Sequence, residues 1–276
     1  MTYASLLVAV EGGEESDSRL ELACDLAIAF DALLIGLSAG AIPPPLYDPL
    51  SGGAQLGDLL TLYREMAEAD VEHARLGFAE ITAERGVETE WRGGVGRPSE
   101  FCSRAARGAD LVILGGRNRR APDHAPDVAD VLMGCGRPVL VTPPTRVRSP
   151  VGAPALIAWK DCREARRALA GAIPLLQRAS GVTLYSVCSP DENETADGEI
   201  HEVVRYLARH EIHAEPIIAL PGDQTTGRQI LDEAMAREAG LVVAGGYGHA
   251  RLREWAMGGV TRSLIADSPV CLALAH

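Results

Sequence analysis

One apolar run ending in glycines occurs twice in this chain, as ADLVILGG at 109–116 and AGLVVAGG at 239–246. The segments before each copy correspond as well. Residues 155–159 fall on the opening apolar run, with Ala158 on Ala9, and residues 166–176 fall on the segment after it, with Leu169 on Leu20. The offset between the copies drops from 149 at the Ala9–Ala158 pair to 130 at the Gly115–Gly245 pair, so 19 extra residues lie in the first half, mostly in a proline-rich loop and a long helix. The chain is therefore an internal duplication, and any fold assigned to it must be built twice.

Within each copy short apolar runs alternate with stretches of helical spacing. The first copy predicts strands at 6–10, 33–37, 88–91, 111–114 and 138–142. Its helices are expected after Gly12-Gly13, over 58–84, from Pro98 onward, and briefly before 138. The second copy predicts strands at 155–159, 182–187, 216–220, 241–245 and 269–275, with helices at 166–176, 200–207, 226–239 and after Gly258. Pro143, Pro144 and Pro150 mark a linker, giving expected domains at 1–145 and 151–276. Strands alternating with helices imply a parallel sheet covered on both faces. The expected class is α/β: two tandem, doubly wound parallel-sheet domains. Ligands in such folds sit beyond the carboxyl ends of the strands, where the strand order reverses. The last strand of each half would lie at a sheet edge and needs a partner or a cover.

Charge narrows the function classes. Thirty-eight acidic against 26 basic residues give a net charge of −12, which argues against nucleic acid or an anionic membrane as partner. No stretch approaches the roughly 20 apolar residues of a membrane span, and the N-terminus lacks the basic region of a signal peptide, so a cytoplasmic location is expected. Six cysteines are scattered without a CxxC pair and read as small buried residues kept reduced; a redox pair of Cys162 and Cys188 is the minor alternative. His201, His210 and His213 fall on no single helix face, so no zinc site is expected.

The chemistry concentrates at 241–275, where an apolar run breaks into Gly245, Gly246 and Gly248, and Gly258-Gly259 opens a segment of helical spacing. Glycines let several N–H groups turn toward one anion, and the start of the following helix adds unpaired donors. A phosphate is the natural guest. His249, Arg251 and Arg253 lie within the loop and would offset its charge. There is no GxxxxGK[ST] loop, and no nucleophile stands at a recognisable spacing from a base, so hydrolysis, if any, is expected to be slow.

These residues resemble the universal stress protein family in its tandem form. The family signature is Gly, two residues, Gly, nine residues, Gly, then Ser or Thr; Gly245, Gly248 and Gly258 meet the spacing, and Gly259 stands at the hydroxyl position. The resemblance implies an adenine nucleotide alpha hydrolase-like fold and bound ATP, with ADP or AMP, and magnesium, as variants. It implies that Gly245 and Gly248 contact ribose and phosphates, and that Gly258, Gly259 and Val260 cradle phosphates. Ala158, Trp159 and Lys160 would border the base, and Val187 would pack on it. Lys160 replaces the usual acidic residue, and Thr261 is the nearest substitute for the hydroxyl missing at Gly259. For Trp159 a core position is the competing reading. In the first half Asn118 occupies the second signature glycine, so that half is expected to be a nonbinding copy. The resemblance also implies that the halves pair through their last strands as an internal pseudo-dimer; a homodimer of whole chains is a further option. The expected function is a nucleotide-binding regulator of the stress response. The alternatives are an interaction scaffold without nucleotide and a weak ATPase.

Overall fold

The computed structural model describes residues 2–43, 53–116, 125–144, 149–247 and 259–276, with backbone alone at 53–56 and 192–195. The first half contains β1 (Ser5–Ala9), α1 (Glu14–Phe30), β2 (Leu33–Gly40), α2 (Gly53–Arg85), β3 (Thr89–Val95), α3 (Pro98–Ala105), β4 (Leu111–Gly115), α4 (Val128–Gly134) and β5 (Val139–Thr142). The second contains β6 (Ala155–Trp159), α5 (Arg163–Leu176), β7 (Val182–Val187), α6 (Asn193–Ala208), β8 (Ala214–Ala219), α7 (Thr226–Ala236), β9 (Leu241–Gly245), α8 (Gly259–Asp267) and β10 (Cys271–Ala275).

All strands join one ten-stranded sheet in the order β3-β2-β1-β4-β5-β10-β9-β6-β7-β8. Pairing is parallel within each half, and β5 meets β10 antiparallel with Leu140 opposite Ala273. The carboxyl ends of the two sets of strands therefore point to opposite rims of the sheet. Strand order reverses between β1 and β4 in one half and between β6 and β9 in the other, which locates one crevice on each rim.

Alternation along the strands divides the core into two layers. Leu6 and Val8 point toward α1, α2, α5 and α6, while Leu7 and Ala9 point toward α3, α4, α7 and α8. Near-continuous apolar strands such as β1 and β9 are buried on both faces, as a helix-covered parallel sheet requires. Local signals set the helix starts. Pro98 occupies the first turn of α3, the Asp127 carboxylate accepts the Asp130 N–H at 3.0 Å to cap α4, and the Thr225 hydroxyl accepts the Arg228 N–H at 3.3 Å to cap α7.

The structure extends α6 back to Asn193, whereas helical spacing predicts a start at 200, because its first turns are polar all round and carry no apolar period. It ends α7 at Ala236 rather than 239, where Glu238 takes a left-handed φ of +53°. The halves also meet away from the central strands: the Tyr3 hydroxyl donates to the Gly171 carbonyl at 2.6 Å, and the Arg178 guanidinium lies 4.8 Å over the Phe30 ring.

Candidate functional site

β9 delivers Gly245 to the rim against the first turn of α5. A Cβ at Gly245 would lie 2.7 Å from the Ala165 amide nitrogen and 3.0 Å from the Glu164 carbonyl carbon. Both are backbone atoms that cannot swing aside, so only glycine lets strand and helix meet here. The chain then turns through Tyr247, which takes a left-handed φ of +55°. Thr261 is buried on α8, and its hydroxyl accepts the Tyr247 N–H at 3.3 Å and donates to the Gly245 carbonyl at 3.4 Å. The Gly246 N–H donates to the Ala275 carbonyl at 2.9 Å. Strand exit and helix start are thereby tied to each other before any ligand arrives.

The first turn of α8 lies at the surface among the described residues. Gly259 is exposed, no described residue lies within 4 Å of where its Cβ would project, and Val260 is 38% exposed. The first N–H groups of a helix have no partner within it, so this end offers donors to an anion. Gly248, His249 and Gly258, with Arg251 and Arg253, lie outside the described residues.

Ala158 and Val187 end neighbouring strands and, with Tyr247, pack partly buried on the α7–α8 layer. Sequence reasoning missed Tyr247, whose signal is an aromatic residue inside a Gly-Gly-x-Gly turn. Burial pushes its hydroxyl above the usual range, Asp127 of the first half adds to the shift, and Arg262 opposes it. Trp159 separates from this group. It is 7% exposed, and the strand alternation sends its ring into the α5–α6 layer. It therefore reaches the crevice only through its backbone. Lys160 is exposed just beyond β6.

Glu164 underlies the same corner with 4% exposure, and Arg163 donates to it at 2.7 and 2.9 Å. Burial raises its carboxyl, but hydrogen bonds from its own N–H, Arg163 and Cys162, with the Arg163 charge, outweigh that and leave it below the ordinary carboxylate range.

The opposite crevice is built from the same elements and filled differently. Arg19 of α1 is 5% exposed, donates its Nε to the Ala9 carbonyl at 2.9 Å, and forms an ion pair with Glu11. Its Nη1 occupies the space into which a side chain at Gly115 would project. What remains is a cavity of about 20 Å³ among residues such as Ser16, Gly116 and Thr142, space on the scale of one water. Duplication places Lys160 at the Glu11 position and Ala168 at the Arg19 position, so the second crevice lacks this ion pair among the described residues. Arg117, Asn118, Arg119 and Arg120 lie outside the described residues.

All six cysteines are free thiols. Burial is the main cause that pushes Cys102 and Cys271 up to about 12 and Cys24 up to about 11, which keeps these three inert. No group of three metal-ligating side chains gathers among the described residues, and no described helix is long and apolar enough to cross a membrane.

The model of the universal stress protein family matches residues 2–143. That is the half whose crevice Arg19 fills. Comparison with curated proteins gives no match. Among solved structures, a universal stress protein from Archaeoglobus fulgidus DSM 4304 is similar at a TM-score of 0.73 and 17% identity, covering 98% of this chain and 95% of that one. A functionally unknown protein from Pseudomonas aeruginosa PAO1 is similar at a TM-score of 0.59 and 17% identity, covering 99% of this chain and 92% of that one. At these identities the two structures speak for the fold, while the family match spans half the chain. With its first half matched and the same strand order repeated in its second, the chain belongs to the universal stress protein family.

Proposed function

We propose that the protein binds an adenine nucleotide, ATP in the first instance, at the rim of its second half, and that the bound nucleotide biases conformation or partner choice in a stress-related regulatory role. The observation that carries this reading is the contrast between the crevices. Arg19 and Glu11 fill the first, whereas in the second Lys160 and Ala168 stand at their positions and, among the described residues, the first turn of α8 is exposed at Gly259 and Val260. In this reading the backbone of Gly245, Gly248, Gly258, Gly259 and Val260 holds ribose and phosphates, Ala158, Val187 and Lys160 border the base, and His249 adds a hydrogen-bond donor. ADP or AMP, and magnesium, are variants of the same occupancy. Thr261 acts by holding the loop, since its hydroxyl already serves Tyr247 and Gly245. Residues 1–145 and 151–276 are then the two domains, paired as an internal pseudo-dimer in a cytoplasmic protein. Whole chains need not associate for this site to form.

Extraction of nucleotide from purified protein, followed by calorimetric titration of the full chain with ATP, tests the reading. It requires one nucleotide per chain and its loss in Gly248→Trp. Unchanged occupancy in that variant would remove the loop from the mechanism. The scaffold alternative draws on Lys160, which replaces the usual acidic residue, and on Gly259, which supplies no hydroxyl, and it requires no nucleotide in either measurement.

A further inference from the structure

The α1–α2–α5–α6 face differs between the halves. α1 packs along α2, whereas α5 and α6 have at most marginal contact, and a groove of about 640 Å³ opens between them. That volume lies in the range of small-molecule sites. Apolar groups from three elements line it: Trp159 at the end of β6, Leu169 on α5, and Val203 with the ring of Tyr206 on α6. Trp159 is special to this half, since duplication places Val10 at its position in the other. Its indole N–H is buried and has no hydrogen-bond partner among the described residues. A buried donor left in this state is costly.

The charges along the groove are unevenly committed. Arg166 grips Asp161 with contacts of 2.6 to 3.0 Å, so this pair is closed on itself. Glu202 stands 3.9 Å from Arg205, a loose contact. Arg209, just past the end of α6, has no ion-pair partner among the described residues. Both residues line the groove, and their guanidinium groups together mark a cationic end. Glu199 lines the groove ten positions back, about 15 Å away along a helix axis.

We propose that this groove binds an amphipathic organic anion, with an aromatic or acyl body lying on Trp159, Leu169, Val203 and Tyr206 and its carboxylate held by Arg205 and Arg209. A planar carboxylate suits a guanidinium fork, and the apolar middle suits a body without charge. A polyphosphate would meet Glu199 and Glu202 in the same groove. The site lies on the opposite layer of the sheet from Ala158 and Val187, so it stands independently of the nucleotide reading.

The test is titration of the full-length protein with 1-anilinonaphthalene-8-sulfonate, an aromatic anion that fluoresces on burial, followed by displacement with decanoate. The expected result is saturable binding at one site, displaced by decanoate and indifferent to saturating ATP. Arg209→Glu, a surface change that leaves the core untouched, should weaken binding by about tenfold or more, the loss of one charge-assisted contact. Val203→Trp fills the groove and should abolish binding while circular dichroism stays native. Absence of saturable binding, displacement by ATP, or equal affinity in Arg209→Glu would each overturn the proposal. Loss of ATP binding in Gly248→Trp leaves the groove titration unchanged, so the two readings fail separately.

Discussion

Arg19 and Gly115 are fitted to each other: the guanidinium lies where any side chain at 115 would stand, and its Nε is anchored on the Ala9 carbonyl at 2.9 Å. The glycine that a nucleotide loop would use is used here for an internal cation. Arg19→Ala leaves the Glu11 carboxylate buried without its partner, and we expect a loss of about 3–5 kcal/mol. The double variant Glu11→Gln, Arg19→Met removes both charges and should recover most of that loss. Urea unfolding of the two variants decides the point, and equal instability would mean that the ion pair itself holds the crevice together.

At the other rim, Thr261→Val removes the hydroxyl that joins Tyr247 to Gly245 and should cost about 0.5–1.5 kcal/mol, while Thr261→Ser should stay close to wild type. Gly245→Ala forces a methyl against the α5 backbone, and a loss on the order of 1–3 kcal/mol is expected. ATP titration should show weaker binding for Thr261→Val and for Gly245→Ala than for wild type. Unaltered affinity in both would separate the loop from nucleotide binding.

The Tyr3 hydroxyl and the Gly171 carbonyl connect residues 168 positions apart, one in each half. Burial raises the Tyr3 hydroxyl well above the usual tyrosine range, so it remains a donor at every physiological pH. Tyr3→Phe deletes this contact and should destabilise the protein by about 1 kcal/mol. Denaturation followed separately in each half should report the loss in both, because the bond crosses between them.

Glu164 predicts a pH dependence. Its carboxyl is held below the ordinary range in the folded protein, so folding favours the ionised form. The contribution is complete above the unfolded value and disappears as pH falls through the depressed folded value. Urea midpoints of wild type and Glu164→Gln should therefore differ near neutral pH and converge in acid. A difference that grows on acidification would reverse the assignment.

How much of this was legible in the sequence depended on periodicity. Strands at Ala155–Trp159 and Val182–Val187 stand where the apolar runs place them, because burial on both faces leaves no other pattern for β6 and β7. The start of α6 was not legible, since the sequence from Asn193 to Glu199 carries no apolar period. Gly245 was legible through its fixed spacing, but its reason, contact with the α5 backbone, was not. The Arg19–Glu11 plug left no signal at all: an arginine in an amphipathic helix looks solvated until the fold buries it. Trp159 shows the limit of carrying a motif across residue by residue, because neighbouring positions on a strand face opposite layers.

The antiparallel pairing of β5 with β10 has a consequence for mass action. Both strands belong to one chain, so their association is unimolecular and does not weaken on dilution, unlike the same pairing between separate molecules. The sheet edges that remain are β3 and β8, and β8 carries Pro216, which has no N–H to offer a neighbour. If the rim site binds nucleotide as proposed, its occupancy should follow the concentration of nucleotide and not the abundance of the protein.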